Sequence, residues 1–319
     1  MVDYNEVRSN AYPYNYILDS IGLALAIPGL ILSVSVLRVL LTRRWAGMNI
    51  DLKLIIFTLI FDIISCLESG LNCFFNMINF KYNLSMWWSC NLAATICLIG
   101  FITSINLVGI IAFERCLLIC YHKTIKDHYY WIFLGGCITM NAVCITIGWT
   151  YNGFTILPAS MYCMFNVATT GGKVCSLLTL FSALISMSVV FAGYIQIALK
   201  RANQSKRDQL ELGMKADKVN RNVRSTIAKS MIIVLVCCMN NGPYCILVII
   251  SLINNDFLTP LIDCISASCL MLNLCLNTII VLHMRPFLIN EVLTSLGINR
   301  YSFINSRWDE DNNEHSDTN

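Results

Sequence analysis

Charged residues are scarce in this chain. Of its 319 residues, 13% are Asp, Glu, Lys or Arg, whereas an ordinary soluble domain contains about 25%. Hydrophobic residues make up 56% of the chain, and the mean hydropathy is +0.64. A water-soluble protein of this length needs more polar surface to cover its core. The composition therefore excludes a soluble enzyme, a disordered chain and a nucleic-acid-binding domain.

Histidine is also rare, and the cysteines do not form the pattern of a secreted disulfide framework. The four His residues lie at span ends or in the C-terminal tail and have no spacing typical of metal ligands. Most of the 16 Cys lie inside apolar runs, where Cys behaves as a small hydrophobic residue. We therefore predict that the protein is not an enzyme and has neither catalytic residues nor a metal site.

Seven apolar stretches are long enough to cross a bilayer, which takes about 20 residues. They are far longer than the strands of a membrane barrel and show no alternation of polar and apolar residues, so they are predicted to be helices. The seven predicted spans are 17–41, 54–75, 91–119, 131–157, 174–199, 227–252 and 258–282. The sequence predicts an all-α integral membrane protein with a seven-helix bundle over residues 17–285.

The distribution of basic residues predicts the orientation. Of the 22 Lys and Arg residues, 19 fall on one side of the predicted membrane, and the other side has Arg8, Lys81 and Lys173. Cytoplasmic loops carry the excess of Lys and Arg. We therefore predict a multi-pass protein of the plasma membrane with an extracellular N-terminus and a cytoplasmic C-terminus. Residues 1–16 are predicted to be an extracellular tail without a cleavable signal.

Two segments on the inner side stand out. Residues 200–224 form the longest connection and carry eight Lys or Arg against three Asp or Glu. This segment is interpreted both as a solvated helix extension near anionic lipid headgroups and as a docking surface, and the two readings are compatible. Residues 286–297 have the pattern of a short amphipathic eighth helix on the membrane surface, and residues 298–319 are predicted to be a disordered tail.

Ionisable and strongly polar groups inside the spans are few, and each suggests a functional site because burying them in a bilayer is costly. Asp62 lies in the middle of the second span and Ser104 in the middle of the third, while Asn273 and Asn277 share one face of the seventh. Single polar residues can merely hydrogen-bond between helices. An ionised Asp needs a cation, water or a proton, so we interpret the group as a functional polar pocket.

The residues at the end of the third span resemble a known motif. Glu114 and Arg115, followed by Ile119, resemble the Asp/Glu-Arg-Tyr motif of the rhodopsin-like (class A) G protein-coupled receptors. Cys90 stands 25 residues before Arg115, at the position of a family cysteine that forms a disulfide bond. The resemblance covers residues 17–297. Further positions match the family in order and spacing, namely Asp62, Trp149, Tyr194, Pro243, Tyr244, Asn273, Asn277 and Phe287.

This resemblance implies a receptor that transmits an extracellular ligand signal to a heterotrimeric G protein. In the family, the inner ends of helices five and six move outward to admit the G protein. Arg115, held by Glu114 in the closed state, would then face the G protein, and Tyr194 belongs to the same coupling region. The resemblance also implies a disulfide bond between Cys90 and Cys163 in the second outer loop.

The polar residues at mid-membrane resemble the sodium-binding pocket of the family. The implied set comprises Asp62, Ser104, Asn273 and Asn277, with Asn241 as a neighbour. Oxygen ligands suit a small hard cation, and such a cation would favour the inactive state. The resemblance therefore implies a sodium ion in this pocket. A retinal cofactor is excluded because the seventh span contains no Lys.

The sequence departs from the family at several positions that relay activation. The sixth-helix Trp falls on Asn241, and the seventh-helix Pro and Tyr fall on Thr278 and Val281. The first-helix Asn falls among residues 33–35, and the motif Tyr is Cys116. Two alternatives therefore stay open, a receptor-fold protein without G protein signalling and a cation- or proton-coupled transporter. The spans show no inverted repeat typical of transporters.

The ligand class is the least determined feature. The Asp of amine receptors falls on Cys97, and Glu68 and Asp263 supply carboxyl groups in the outer half. This predicted ligand vestibule favours a cationic or zwitterionic ligand. Asn83 starts an Asn-Leu-Ser sequon on the predicted outer side and is a candidate for glycosylation. Membrane lipids are expected to be partners and nucleic acids are not.

Overall fold

The computed structural model describes residues 4–43, 45–80, 82–211, 216–254 and 257–295. Helices account for most of these described residues, which also include one small hairpin of two strands. The elements are α1 (Tyr4–Ala11), α2 (Tyr14–Leu41), α3 (Ile50–Met77), α4 (Tyr82–Ser85), α5 (Trp87–Cys97), α6 (Thr103–Tyr121), α7 (Asp127–Thr150), β1 (Phe154–Ile156), β2 (Cys163–Phe165), α8 (Thr170–Glu211), α9 (Ala216–Ile253), α10 (Pro260–Met271), α11 (Asn273–Met284) and α12 (Pro286–Ser295).

Six helical rods in the described part of the chain are long and apolar enough to cross a membrane. They are Tyr14–Leu41, Trp87–Tyr121, Asp127–Thr150, Thr170–Gln204, Ser230–Ile253 and Pro260–Met284. A seventh rod, the 28-residue α3, packs between α2 and α6 and contains three buried acids, Asp51, Asp62 and Glu68. The predicted seven-helix bundle is therefore confirmed, with α12 following it as a short eighth helix.

The third rod is not a uniform α-helix. A π-helical turn at Leu98–Ile102 joins α5 to α6, and π-turns inside helices are frequent near functional sites. Gly100 lies in this turn directly against Ser65 of α3, where an added β-carbon would collide with the Ser65 hydroxyl. The close approach places the start of α6, and hence Ser104, beside the middle of α3.

The fourth predicted span was too long. It was expected to reach residue 157, but α7 ends at Thr150, and Asn152 adopts a left-handed backbone conformation with φ of 49°. Asn tolerates that conformation better than most residues. The chain then turns back into β1, and the apolar side chains of Phe154 and Leu157 are buried within the protein instead of facing lipid. Hydropathy alone does not distinguish these two kinds of burial.

The hairpin β1–β2 folds over the end of the bundle. Its strands are antiparallel, with Phe154 opposite Phe165 and Ile156 opposite Cys163. Cys163 is bonded to Cys90 near the start of the third rod, so the predicted disulfide is confirmed. Cys73, near the end of α3, is a buried free thiol. We call this hairpin end the outer end of the bundle and the opposite end the inner end, following the predicted orientation.

At the inner end, two helices continue well past the length that a bilayer needs. α8 has 42 residues and α9 has 38, or about 63 Å and 57 Å of helix at 1.5 Å per residue. The hydrocarbon core is about 30 Å thick. The basic connection at 200–224 is therefore largely helical, apart from residues 212–215, which lie outside the described residues.

The first and last helices of the described part of the chain, α1 and α12, contact the bundle. α12 buries Leu288 and Val292 against an inner core that includes Val36 and Leu40, which places it as the predicted surface helix. Residues 298–319 of the predicted tail lie outside the described residues. The predicted N-terminal tail contains the helix α1, whose Tyr4 hydroxyl donates a 2.8 Å hydrogen bond to Asn76 at the outer end of α3.

Candidate functional site

Asp62 is the centre of the first polar site. One of its oxygens, Oδ1, accepts a 2.6 Å hydrogen bond from the Ser104 hydroxyl and a 3.3 Å bond from Asn277 Nδ2. Asn277 also donates to Ser104 at 3.2 Å. The side chain of Asp62 is buried, and its other oxygen, Oδ2, has no hydrogen-bond partner among the described residues. The structure thus brings together three of the five residues expected in the cation pocket.

These three residues have the chemistry of a small cation site. An unpaired oxygen of a buried carboxylate is costly unless a cation, a proton or water reaches it. The Asp62 carboxylate and the Ser104 hydroxyl are oxygen ligands of the kind that hard cations take. Asn277 directs its Nδ2 at both of them, so its carbonyl would join the set after the amide turns over. With that rotation, the donor set fits sodium.

Asn273 and Asn241 form a separate cluster, contrary to the expectation that they belong to the Asp62 pocket. Asn273 Oδ1 accepts from Asn240 at 2.9 Å, and Asn273 Nδ2 donates to Asn241 Oδ1 at 2.8 Å. Both ends of the Asn273 amide are therefore directed to α9. Asn240 was missed by sequence reasoning, although two adjacent Asn residues inside an apolar span are a usable signal.

Two of the positions that depart from the family pattern are partners of each other. Ser33 in α2 and Thr278 in α11 share a buried hydrogen bond of 2.7 Å between their hydroxyl oxygens. The bond joins the first and seventh rods. Likewise, Asn241, at the position of the family Trp, is satisfied by Asn273. The substitutions therefore form buried polar pairs of their own, which sequence reasoning about single positions did not detect.

Arg115 at the inner end is held without a carboxylate. Its Nη1 donates to the thioether sulfur of Met284 at 3.0 Å, and the Tyr194 hydroxyl approaches the same sulfur at 3.4 Å. Among the described residues, no ion pair joins Glu114 to Arg115, and Glu114 Oε2 and Arg115 Nε are buried without partners. The expected closed-state pair is absent there because adjacent residues on a helix do not face each other.

An internal cavity connects the two polar sites. It has a volume of about 50 Å³ and is lined by Arg115, Tyr194 and Met284 at one end and by Asn240 and Asn277 at the other. A cavity holds a water molecule once it provides about 10–15 Å³ and several polar partners. The space between the inner arginine and Asn277 is therefore large enough for water, although most of the residues that line it are apolar.

The outer vestibule is filled by the chain's own loop. Asp263 of α10 is fully buried and accepts hydrogen bonds from the Tyr162 hydroxyl at 2.7 Å and from the Ala159 amide at 2.9 Å. Burial raises the pKa of Tyr162, and the neighbouring Asp263 raises it further, so Tyr162 remains a protonated donor. Cys97 lines a cavity of about 30 Å³ below this loop.

The carboxylate of Glu68 is also satisfied. It accepts from Asn72 at 2.5 Å and from Ser69 at 3.2 Å, both in its own helix. Neither Glu68 nor Asp263 presents an unpaired carboxylate to a cationic ligand in this conformation. The acidic vestibule expected from the sequence is thus closed. Asn83 lies in α4, but its side chain is outside the described residues, and its glycosylation stays a prediction.

Comparison with known proteins identifies the fold. No protein-family model matches the chain, and no curated protein sequence matches it. Among solved structures, the chain is similar to squid rhodopsin, with a TM-score of 0.67 and 15% sequence identity. The match covers 88% of this chain and 84% of that one. At this identity the likeness establishes the fold, so the chain is a multi-pass membrane protein with the rhodopsin-like receptor fold.

Proposed function

We propose that the protein is a plasma-membrane G protein-coupled receptor with an extracellular N-terminus. The observation that supports this most directly is the environment of Arg115. A buried guanidinium group is costly unless it is paired. The groups that Arg115 meets are the Met284 thioether, which is a weak acceptor, and the neutral hydroxyl of Tyr194. Stronger acceptors, such as backbone carbonyls of a G protein segment entering from the inner side, would satisfy it better.

The switch that we infer has two states. In the closed state, Met284 and Tyr194 cover Arg115 and join the third, fifth and seventh rods. In the open state, the inner ends of α8 and α9 move apart and expose Arg115 to the G protein. A ligand shifts the balance by binding one state more tightly than the other. The basic helix extensions at 200–224 would contact the G protein or anionic headgroups.

Sodium bound at Asp62 would oppose this opening. Asp62, Ser104 and Asn277 are the residues that would hold the ion, which would neutralise the carboxylate and link the second, third and seventh rods. Opening pulls these rods apart, so the ion would favour the closed state. Asn273 and Asn241 would contribute through their own cluster, which joins α9 to α11.

The test measures G protein activation with dissociation sensors for each G protein class, first without any ligand and then with candidate ligands. We expect Arg115→Gln to abolish activation while surface expression and the Cys90–Cys163 bond are kept. Arg115→Lys should also fail, since Lys lacks the planar, five-donor group. Arg38→Gln is the matched control, because Arg38 is exposed near the inner end of α2 and lies outside the basic segment 200–224. Equal signalling by wild type and Arg115→Gln would refute the proposal.

Two alternatives have their own signatures. The closed vestibule and the substituted relay positions favour, as second candidate, a receptor-fold protein without G protein signalling. Wild-type protein that reaches the surface and is silent with every sensor, with and without ligands, would support it. A sodium- or proton-dependent uptake current that Asp62→Asn removes would instead support a transporter.

A further inference from the structure

A second outer cavity lies apart from the closed vestibule. It has a volume of about 510 Å³, within the usual range of about 300–1,000 Å³ for small-molecule sites. Its walls come from α1, from α4 and α5, and from the β1 strand with the segments on either side of the hairpin. The residues that line it include Tyr4, Ser85, Trp87, Asn91, Thr155 and Thr169.

The walls of this cavity are part polar and part apolar. Asn, Ser, Thr, Tyr and Trp side chains line it together with Leu84, Phe154 and Ile156, and no Asp, Glu, Lys or Arg is among the described residues that line it. A charged ligand would lose its hydration there without gaining an opposite charge. Asn, Ser and Thr side chains both donate and accept hydrogen bonds. The cavity therefore suits a neutral ligand with many groups that both donate and accept hydrogen bonds.

A fixed aromatic ring stands at its edge. Trp87 has 44% of its surface exposed, yet its indole Nε1 donates a 3.0 Å hydrogen bond to Asn152 Oδ1. Its ring also meets Trp149 edge to face, with 5.4 Å between centroids. The ring is thus held in place while a large apolar surface stays open. Such a surface packs well against the flat C–H face of a sugar ring.

An unsatisfied buried acceptor lies in the cavity wall. Asn91 is 2% exposed, and its Nδ2 donates to the Trp87 carbonyl at 2.8 Å. Its Oδ1 has no hydrogen-bond partner among the described residues. A buried polar atom without a partner is destabilising. A rotation of the Asn91 side chain that brings this oxygen to the cavity surface, where a ligand hydroxyl or amide donates to it, would remove that cost. The hydroxyl of Thr155 is likewise without a partner in the described part of the chain.

We propose that this cavity binds a small neutral saccharide. The sugar hydroxyls would pair with Asn91, Thr155 and Thr169, and one face of a ring would lie on Trp87. Tyr4 closes one side, because its hydroxyl is held by Asn76 and Arg8. Cys90 also lines the cavity, so the saccharide contacts the residue that bonds the hairpin to the third rod. This binding is independent of G protein coupling.

The test uses the full-length protein in lipid nanodiscs and measures direct binding by calorimetry and saturation-transfer NMR. All samples carry Asn83→Gln, so that no glycan of the chain itself lies near the cavity. The probes are the neutral disaccharide diacetylchitobiose and its deacetylated, cationic form, together with a panel of neutral mono- and disaccharides. We expect saturable binding of the neutral disaccharide and at least tenfold weaker binding of the cationic one.

Variants of the wall separate binding from folding. Asn91→Leu keeps the side-chain size and removes the unpaired oxygen, so the thermal stability of the free protein should be kept or raised while affinity falls about tenfold. Thr155→Val should weaken binding several-fold. Thr146→Val is the matched control, since its hydroxyl bonds to the Ala142 carbonyl of its own helix, and it should bind like wild type.

Three results would overturn the proposal. One is the absence of saturable binding by the wild-type protein for every neutral saccharide in the panel. Another is equal affinity of wild type and Asn91→Leu for the probe. The third is binding of an uncharged extended peptide at the cavity with no saccharide binding, which would assign the site to a different class of ligand.

Discussion

At the scale of the residue, the sequence predicts which polar groups lie inside the bundle better than it predicts their hydrogen-bond partners. Asp62 was predicted from its type and depth alone, because an acid in the middle of a span is costly wherever it is placed. Its partners Ser104 and Asn277 could be named because helical spacing puts them at the same depth. The neighbouring helix that an amide side chain faces is set by packing. The sequence therefore did not reveal that Asn273 faces α9 and not Asp62.

The first prediction at this scale concerns sodium. If Asp62 holds sodium, replacing choline chloride by sodium chloride should raise the thermal stability of the wild-type protein. The gain is about 1.4 kcal/mol at ten times Kd, since the ion binds the folded state. Asp62→Asn should lose this dependence and stay folded. Thermal unfolding followed by intrinsic fluorescence measures both.

Glu68→Gln is the matched control for the sodium experiment. Glu68 is another buried acid of α3, and its carboxylate is satisfied within that helix. Its variant should keep the full sodium effect. If Asp62→Asn responds to sodium as strongly as wild type does, Asp62 is not the ligand.

The Arg115 environment shows another limit of sequence reasoning. Adjacency in sequence made Glu114 the natural partner of Arg115, yet successive side chains on a helix point about 100° apart. The partner that the structure provides, Met284, is 169 positions away. Met is a weak acceptor and looks like an ordinary apolar residue of a span. Nothing in its sequence context marked it as the contact of Arg115.

At the scale of the element, span prediction succeeded because hydropathy and helix length are strongly linked in a bilayer. The seven rods fall where the apolar runs are. The fourth run failed at its end because Phe154 and Leu157 are apolar for a different reason, namely burial beneath the outer loop. The helix α1 was not predicted, since its polar sequence has no apolar stripe of the kind that marks a buried helix.

A prediction at this scale concerns how the loop is held over the bundle. Tyr162→Phe removes one of the two donors to the buried carboxylate of Asp263 and should cost about 1–3 kcal/mol of stability. Asp263→Asn in the same protein should restore part of the loss, because the unpaired charge is gone. A double-mutant cycle of thermal stability measures the coupling.

The cycle has a clear negative outcome. If the two substitutions are additive within about 0.3–0.5 kcal/mol, the Tyr162–Asp263 contact does not hold the loop. Thr155→Val serves as a control on the same hairpin. Its hydroxyl has no partner among the described residues, so its coupling to Asp263→Asn should be close to zero.

At the scale of the whole molecule, the bundle is joined by two kinds of contact. Polar pairs such as Ser33–Thr278 and Asn241–Asn273 are buried and well satisfied in the middle of the membrane. At the inner end, the contact through Met284 is weak. This distribution predicts a middle that stays together and an inner end that opens at low cost.

The last prediction concerns the balance between the closed and open states of the inner end. Met284→Leu keeps the volume but removes the sulfur acceptor, so the closed state is weakened and basal G protein activation should rise. Met284→Glu supplies a carboxylate beside Arg115 and should lower basal activation below that of wild type. A change of about 1.4 kcal/mol alters the ratio of the two states tenfold. The sensors proposed above measure it without ligand.

The essential result is that basal G protein activation rises in Met284→Leu and falls in Met284→Glu. Ile279→Leu is a suitable control, because Ile279 is an exposed apolar residue on the same helix, and it should signal like wild type. If both Met284 variants match wild type at equal surface expression, the thioether contact has no part in the balance between the states.

The length of α8 has a mechanical consequence. The helix runs from Thr170, next to the disulfide-bonded hairpin, to Glu211, so a rigid tilt about its outer end makes it a lever. Tyr194 lies about 36 Å along this lever and Glu211 about 62 Å. A sideways displacement of 1 Å at Tyr194 therefore becomes about 1.7 Å at Glu211. The extension magnifies small rearrangements around Arg115 and delivers them beyond the membrane surface.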